Sequence, residues 1–169
     1  MGVTRAINYY EDFEIGDKIR HQRGRTVTEM DNVMFTQLGL NTAEGHFNED
    51  FMSKIRIGTW GGTRIVVGSF TIGLVIGLAA EDISENALAE IALDKIRLQT
   101  PVCHGDTLYA ESEVLGKEDT DLFKGAGIVH FKVTGKNQEG KIVFEGEKKT
   151  VIKKREFYLK DDENFWPRR

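Results

Sequence analysis

A chain of 169 residues, 40% apolar and 30% charged, has the composition of one ordinary globular domain with enough length to bury a core. Its net charge of −4 argues against a nucleic-acid partner, and it carries no zinc-finger or RNA-binding signature. One cysteine, Cys103, excludes an internal disulfide framework and fits a reducing cytoplasm; no cationic and apolar leader pattern is seen, so export is not expected.

The first stretch holds Tyr9, Tyr10 and Phe13, then a turn at Gly16-Asp17 and a short strand over Lys18 to Arg23. Thr28 with Asp31 three residues on predicts the capped start of a helix, whose apolar positions Met30, Val33, Met34 and Leu38 recur at helical spacing. Gly39 stands where a left-handed glycine would end it. The polar segment Asn41 to Asp50 suits neither regular element and lies between apolar segments, where ligand-handling loops are often found. It carries His46, which read alone is either a catalyst or a hydrogen-bonding surface residue. Asn48 predicts the cap of a short helix through Lys54, and the glycine-rich Ile57 to Arg64 leads to the next element.

Arg64 to Ala80 is the most apolar run and is apolar on every side, which predicts a central helix surrounded by protein, with Gly68 near its N-terminus. A long buried strand is the other reading. The run is shorter than the roughly 20 apolar residues a bilayer span needs. Gly73 and Gly77, four apart, predict a groove where a sheet presses close. Glu81-Asp82 and Ser84-Glu85-Asn86 read as a solvated link.

Strands follow. Over Leu88 to Leu98 the alternation slips at Asp94-Lys95, the mark of a β-bulge. Leu108 to Leu115 and Val129 to Val133 alternate apolar with polar, Gly116 to Gly125 reads as a charged loop, and Asn137 to Gly140 closes a hairpin into Ile142 to Ile152. Lys153-Lys154-Arg155 is a solvated strand end or a phosphate contact, and an aromatic tail occupies 156–169. Helices first and antiparallel strands after define an α+β chain, and one buried helix with about five strands is the inventory of a hotdog fold, an antiparallel sheet wrapped around a long central helix.

No phosphate-binding glycine loop, H-E-x-x-H or C-x-x-C is present, and four scattered histidines offer no metal-ligand spacing, so neither metal nor cofactor is expected. The segments Tyr10 to Asp17, Gly24 to Glu29, Asn41 to Phe47, Asp94 to Arg97, Pro101-Val102 and Gly105 to Leu108 together resemble the MaoC-like dehydratases, the R-specific enoyl-CoA hydratases of hotdog fold. Gly24-Arg25-Thr26-Val27-Thr28-Glu29 and the asparagine-threonine loop look most like the mesaconyl-CoA and itaconyl-CoA hydratase branch. The resemblance covers about Tyr10 to Ile152 of a single domain, 1–169.

It implies reversible addition of water across the 2,3 double bond of a short, branched or dicarboxylic enoyl-CoA. It also implies a homodimer or higher homo-oligomer, with the coenzyme A thioester as substrate and no membrane partner. His46 matches the family histidine and Gly68 the glycine before the central helix. Asn41 stands where the family carries an aspartate, Ala43 and Glu44 replace its Asn-Pro, and Ile76 replaces a serine. His46 is thus expected as the base, Asn41 as a water-positioning group, Gly68 as the oxyanion donor and Glu44 as a fallback acid or an exposed loop carboxylate. Arg64 and Arg56 are the candidates for gripping a second substrate carboxylate; Arg64 alternatively pairs with Glu44 or Asp50. A hotdog thioesterase and a non-catalytic acyl-CoA-binding protein remain the other readings.

Overall fold

The computed structural model describes residues 8–57 and 60–158. After a single 3-10 turn at Tyr10–Asp12 come β1 (Lys18–Arg20), β2 (Arg25–Thr26), α1 (Glu29–Leu38), α2 (Glu44–Phe47), α3 (Glu49–Lys54), β3 (Arg56–Ile57) and β4 (Trp60–Gly61). The central helix α4 (Gly68–Ile83) then leads to β5 (Ala87–Leu98), β6 (Thr107–Asp119), β7 (Ala126–Lys136) and β8 (Ile142–Lys153). Gly58 and Thr59 of the glycine-rich approach, and Phe165 and Trp166 of the tail, lie outside the described residues.

α4 begins at Gly68, inside the Arg64 to Ala80 run and consistent with Gly68 near its N-terminus, and buries Thr71, Val75, Ala79, Asp82 and Ile83. These positions share one stripe, so the helix is buried on one face rather than all round. Gly73 and Gly77 are exposed, and a Cβ on either would meet nothing within 4 Å. The expected glycine groove therefore does not face the sheet. Close approach comes from the strand instead: a Cβ on Gly135 of β7 would lie 2.5 Å from Val75 Cγ2. Turning Val75 and Ile83 inward removes far more apolar area from water than turning the helix glycines inward.

The strands run antiparallel in the order β1-β6-β7-β8-β5, with β2 also on β6. Leu108, Ala110 and Val114 of β6, Val129, Phe131 and Val133 of β7, and Phe144 and Ile152 of β8 join the α4 stripe in one core. Phe13 closes it, edge-on to Phe131 with ring centroids 5.2 Å apart. Ion pairs span the far face between strands, Lys132 to Glu145 at 2.8 Å and Lys95 to Glu147 at 3.0 Å. The β5 slip is real: its register with β8 shifts between Asp94 and Arg97, and Lys95 has φ +50°. β6 extends to Asp119, shortening the expected charged loop. Lys154 pairs with Asp119 at 2.7 Å and Arg155 with Asp12, so this strand end is held by carboxylates.

The Thr28–Asp31 capping box of α1 forms as expected, Thr28 N–H donating to Asp31 Oδ2 at 2.8 Å. The face is reversed. Met30, Met34 and Leu38 are exposed, whereas the buried residues of α1 are Asn32 and Thr36. Nor is Gly39 left-handed; its φ is −87°, and Leu40 takes φ +51° instead. The inward face of α1 is polar because Asn32 meets backbone groups of the His46 loop and of the α4 cap rather than side-chain core.

Candidate active site

The polar segment after α1 folds into two short helices, with His46 in α2, a helix of 4 residues, and half-buried. Its ring is fixed by the extended strap that precedes α4: His46 Nδ1 lies 2.9 Å from the carbonyl oxygen of Ile65, and Ile65 N–H donates back to Gly45 O at 3.0 Å. A carbonyl only accepts, so Nδ1 carries a hydrogen, and in the neutral ring the lone pair is then on Nε2. This is the tautomer a general base requires.

The strap is pinned on its other side as well. Asn32 Nδ2 donates to His46 O at 2.9 Å, and Asn32 Oδ1 accepts from Val67 N–H at 3.1 Å. Val67 is the extended cap residue of α4 and Gly68 its first residue. As the first helical residue, Gly68 has an N–H with no acceptor four residues back in the helix, and it sits at the positive end of the helix dipole. Leu98 Cδ1 lies 2.5 Å from where a Cβ on Gly68 would be, so β5 covers this helix end closely.

Asn41 is half-buried; its N–H donates to Thr36 O at 3.0 Å and its Oδ1 accepts from Ala43 N–H at 3.4 Å, a local turn that starts α2. Glu44 is exposed in the first turn of α2. Arg64 is buried at 8% exposure and faces neither Glu44 nor Asp50. Its Nε donates to Glu49 Oε2 at 2.9 Å, its backbone N–H reaches the same oxygen at 3.2 Å, and Nη2 pairs with Glu29. Burial works against the guanidinium charge, yet the bonds to Glu49 and Glu29 raise its pKa, and the Arg64 bond holds the Glu49 carboxyl below the usual carboxylate range. Arg56 is exposed, with Nη1 on the carbonyls of Ser53 at 3.1 Å and Ile55 at 2.8 Å. Both candidate cations are thus engaged by the protein, Arg64 by carboxylates of α1 and α3.

Two polar assemblies do not follow from the sequence patterns. Asn32 is one; its sole signal in the sequence is an amide amid apolar helix positions. The other is His21, whose Nδ1 lies 2.6 Å from Asp82 Oδ2 and whose Nε2 lies 2.8 Å from Ser112 Oγ. The expected solvated link at Glu81-Asp82 is instead the last turn of α4, with Asp82 turned inward. Acid, imidazole and hydroxyl stand in the order of a hydrolase triad, but His21, Asp82 and Ser112 are only 2%, 8% and 4% exposed. No acyl group reaches that hydroxyl with the core closed, so the trio is a tether joining the end of β1, β6 and the C-terminal end of α4. Among the described residues, no group of three or more His, Cys, Asp or Glu could hold a metal ion, and no helix is long and apolar enough to cross a membrane.

One helix packed on a curled antiparallel sheet, with a histidine loop strapped to that helix's N-terminus, defines a MaoC-like hotdog domain. The profile described as mesaconyl-CoA hydratase matches residues 3–154, and the chain belongs to that family. It is 39% identical over 111 residues to a beta-methylmalyl-CoA dehydratase of Chloroflexus aurantiacus, covering 65% of this chain and 30% of that protein. It is 29% identical over 154 residues to a mesaconyl-CoA hydratase of Cereibacter sphaeroides, covering 90% of this chain and 43% of that protein. A crystal structure described as a MaoC domain protein dehydratase from Chloroflexus aurantiacus superposes with a TM-score of 0.81 at 28% identity, covering 90% of this chain and 42% of that one. The chain spans less than half the length of each of these relatives.

Proposed function

We propose that this domain adds water reversibly across the 2,3 double bond of a short, branched or dicarboxylic enoyl-CoA. The observation that supports this reading is the His46 Nδ1 contact with the Ile65 carbonyl, which in the neutral ring leaves the lone pair on Nε2, on the strap that runs into the N-terminus of α4. Water attacks C3 as His46 Nε2 takes its proton. The π electrons move toward C1, and negative charge builds on the thioester oxygen. In this scheme the Gly68 N–H at the N-terminus of α4 receives that charge, with the helix dipole behind it. Collapse of the enolate, as the His46 imidazolium returns that proton to C2, yields the 3-hydroxyacyl-CoA with His46 neutral again, and dehydration is the reverse. Asn41 cannot take a proton, and in this scheme its amide orients the water. Glu44 takes no step. The scheme uses side chains and backbone dipoles alone, with neither metal nor cofactor, and we place the protein in the cytoplasm, where a single thiol stays reduced.

Asn41→Asp tests the positioning role. A carboxylate there adds a second base and a negative charge near His46, and the acidic limb of the pH–rate profile is expected to move. A superimposable profile would remove Asn41 from the water site.

For Arg64 we favour a clamp over a substrate grip, because its donors already satisfy two protein carboxylates. Arg64→Met is therefore expected to weaken turnover of crotonyl-CoA and mesaconyl-CoA alike. A loss confined to mesaconyl-CoA of roughly tenfold to a hundredfold, the size of a charge-assisted hydrogen bond, would instead put Arg64 on the second carboxylate.

The active assembly is proposed to be a homodimer or higher homo-oligomer. β5 is an edge strand of 12 residues that leaves Ile91, Leu93, Ile96 and Leu98 exposed, and such an edge favours pairing with another chain. Sedimentation at micromolar concentration should give a dimer or larger; a strictly monomeric profile would contradict it.

A further inference from the structure

We propose that Asn32 is a positioning residue that sets the separation between catalytic base and oxyanion donor; this rests on the hydratase reading above. Asn32 is 3% exposed in the middle of α1, a place where asparagine is a poor helix former and where an unsatisfied amide would be costly. Both ends of its amide are used, and each by a different half of the site. Its NH₂ reaches the carbonyl of His46, the proposed base, and its carbonyl takes the N–H of Val67, the residue before Gly68.

Its orientation is not ambiguous. Val67 offers only a donor here and the His46 backbone only an acceptor, so Oδ1 must face the helix and Nδ2 the loop. The two bonds span 14 and 35 residues of chain, and one rigid amide closes both. Together with the Ile65 carbonyl on Nδ1, they hold the His46 main chain and ring against one strap. No other common side chain of that size offers a donor and an acceptor in this geometry. Leucine would leave both backbone groups without this partner. Aspartate would keep the bond to Val67 N–H but set an oxygen against the His46 carbonyl.

The test uses the full chain carrying Asn32→Leu or Asn32→Asp, with kcat, KM and the folded fraction measured well below the melting temperature. Because reacting groups are displaced and binding groups are not, kcat should fall roughly tenfold to a hundredfold while KM hardly moves. The same substitutions made on His46→Ala should cost much less, since the base they position is gone. Asn32→Asp covers the case in which Asn32→Leu does not fold, because it disturbs only the His46 side. Amide exchange at Val67 should quicken in Asn32→Leu and stay slow in Asn32→Asp. A kcat per folded molecule equal to the parent's, or equal losses with and without His46, would overturn the proposal and leave Asn32 a structural residue. A parent chain that hydrates no enoyl-CoA would overturn the hydratase reading and this role with it, an outcome distinct from an active parent whose Asn32 variants are equally active.

Discussion

Replacing His46 with alanine is expected to lower enoyl-CoA hydration by roughly 10²- to 10⁴-fold, the contribution typical of a positioned general base. The fold should survive. His46 is half-buried in a helix of 4 residues at the edge of the domain, and its backbone bonds to Ala43 and Asn32 do not involve the imidazole. The substitution removes one hydrogen bond, from Nδ1 to Ile65 O at 2.9 Å. The far-ultraviolet spectrum should therefore match that of the parent, and the melting temperature should shift little. The rate loss should lie in kcat more than in KM, because the base acts on the attacking water rather than on the acyl-CoA. Activity within a few-fold of the parent would take His46 out of the chemistry.

The second large effect falls on stability. His21→Leu removes the centre of the His21–Asp82–Ser112 tether, leaving a buried carboxylate without its imidazole and a buried hydroxyl without its nitrogen. Removing one partner of a buried hydrogen bond, so that the other is left without it, costs about 1–3 kcal/mol. The side chains of His21 and Asp82 are 1% and 10% exposed, so solvent screening relieves little of this. At about 2–4 °C per kcal/mol for a chain of this size, the melting temperature should drop by roughly 2–12 °C. Turnover per folded molecule at low temperature should be retained, since the tether lies at the opposite end of α4 from Gly68. A loss below about 1 kcal/mol, the level of an exposed pair, would mean the trio is far wetter than its burial indicates.

Local features are legible in the residues. The place of Gly68 near the N-terminus of α4, the Thr28–Asp31 capping box, the β5 bulge at Asp94-Lys95 and the 137–140 turn all rest on short-range chemistry, and the structure shows each of them. Periodicity also identifies which apolar positions of α1 share a face, whereas α4, apolar on every side in sequence, shows its single buried face only in the structure. Periodicity does not say which face meets the sheet. Met30, Met34 and Leu38 lie outward because the inward face of α1 must supply an amide to His46 and Val67, a demand set by residues far along the chain. Gly73 and Gly77 mislead for a related reason: the glycine that admits Val75 is Gly135, on a strand the helix sequence says nothing about. Arg64 pairs with Glu29 and Glu49 rather than Glu44 or Asp50, and Asp82 meets His21 across 61 residues of chain. Such pairings follow from the packed topology, and no local pattern announces them.

The proposed activity is tested most directly by following the enoyl-thioester absorbance of crotonyl-, mesaconyl- and branched enoyl-CoAs with the full chain, alongside a thiol reagent that detects free CoA. Hydration requires the absorbance to fall to an equilibrium value with no thiol released, and to approach the same value from the 3-hydroxyacyl-CoA. Release of free CoA would mark a thioesterase, and an unchanged absorbance across the series would contradict the assignment of His46 as a base acting on water.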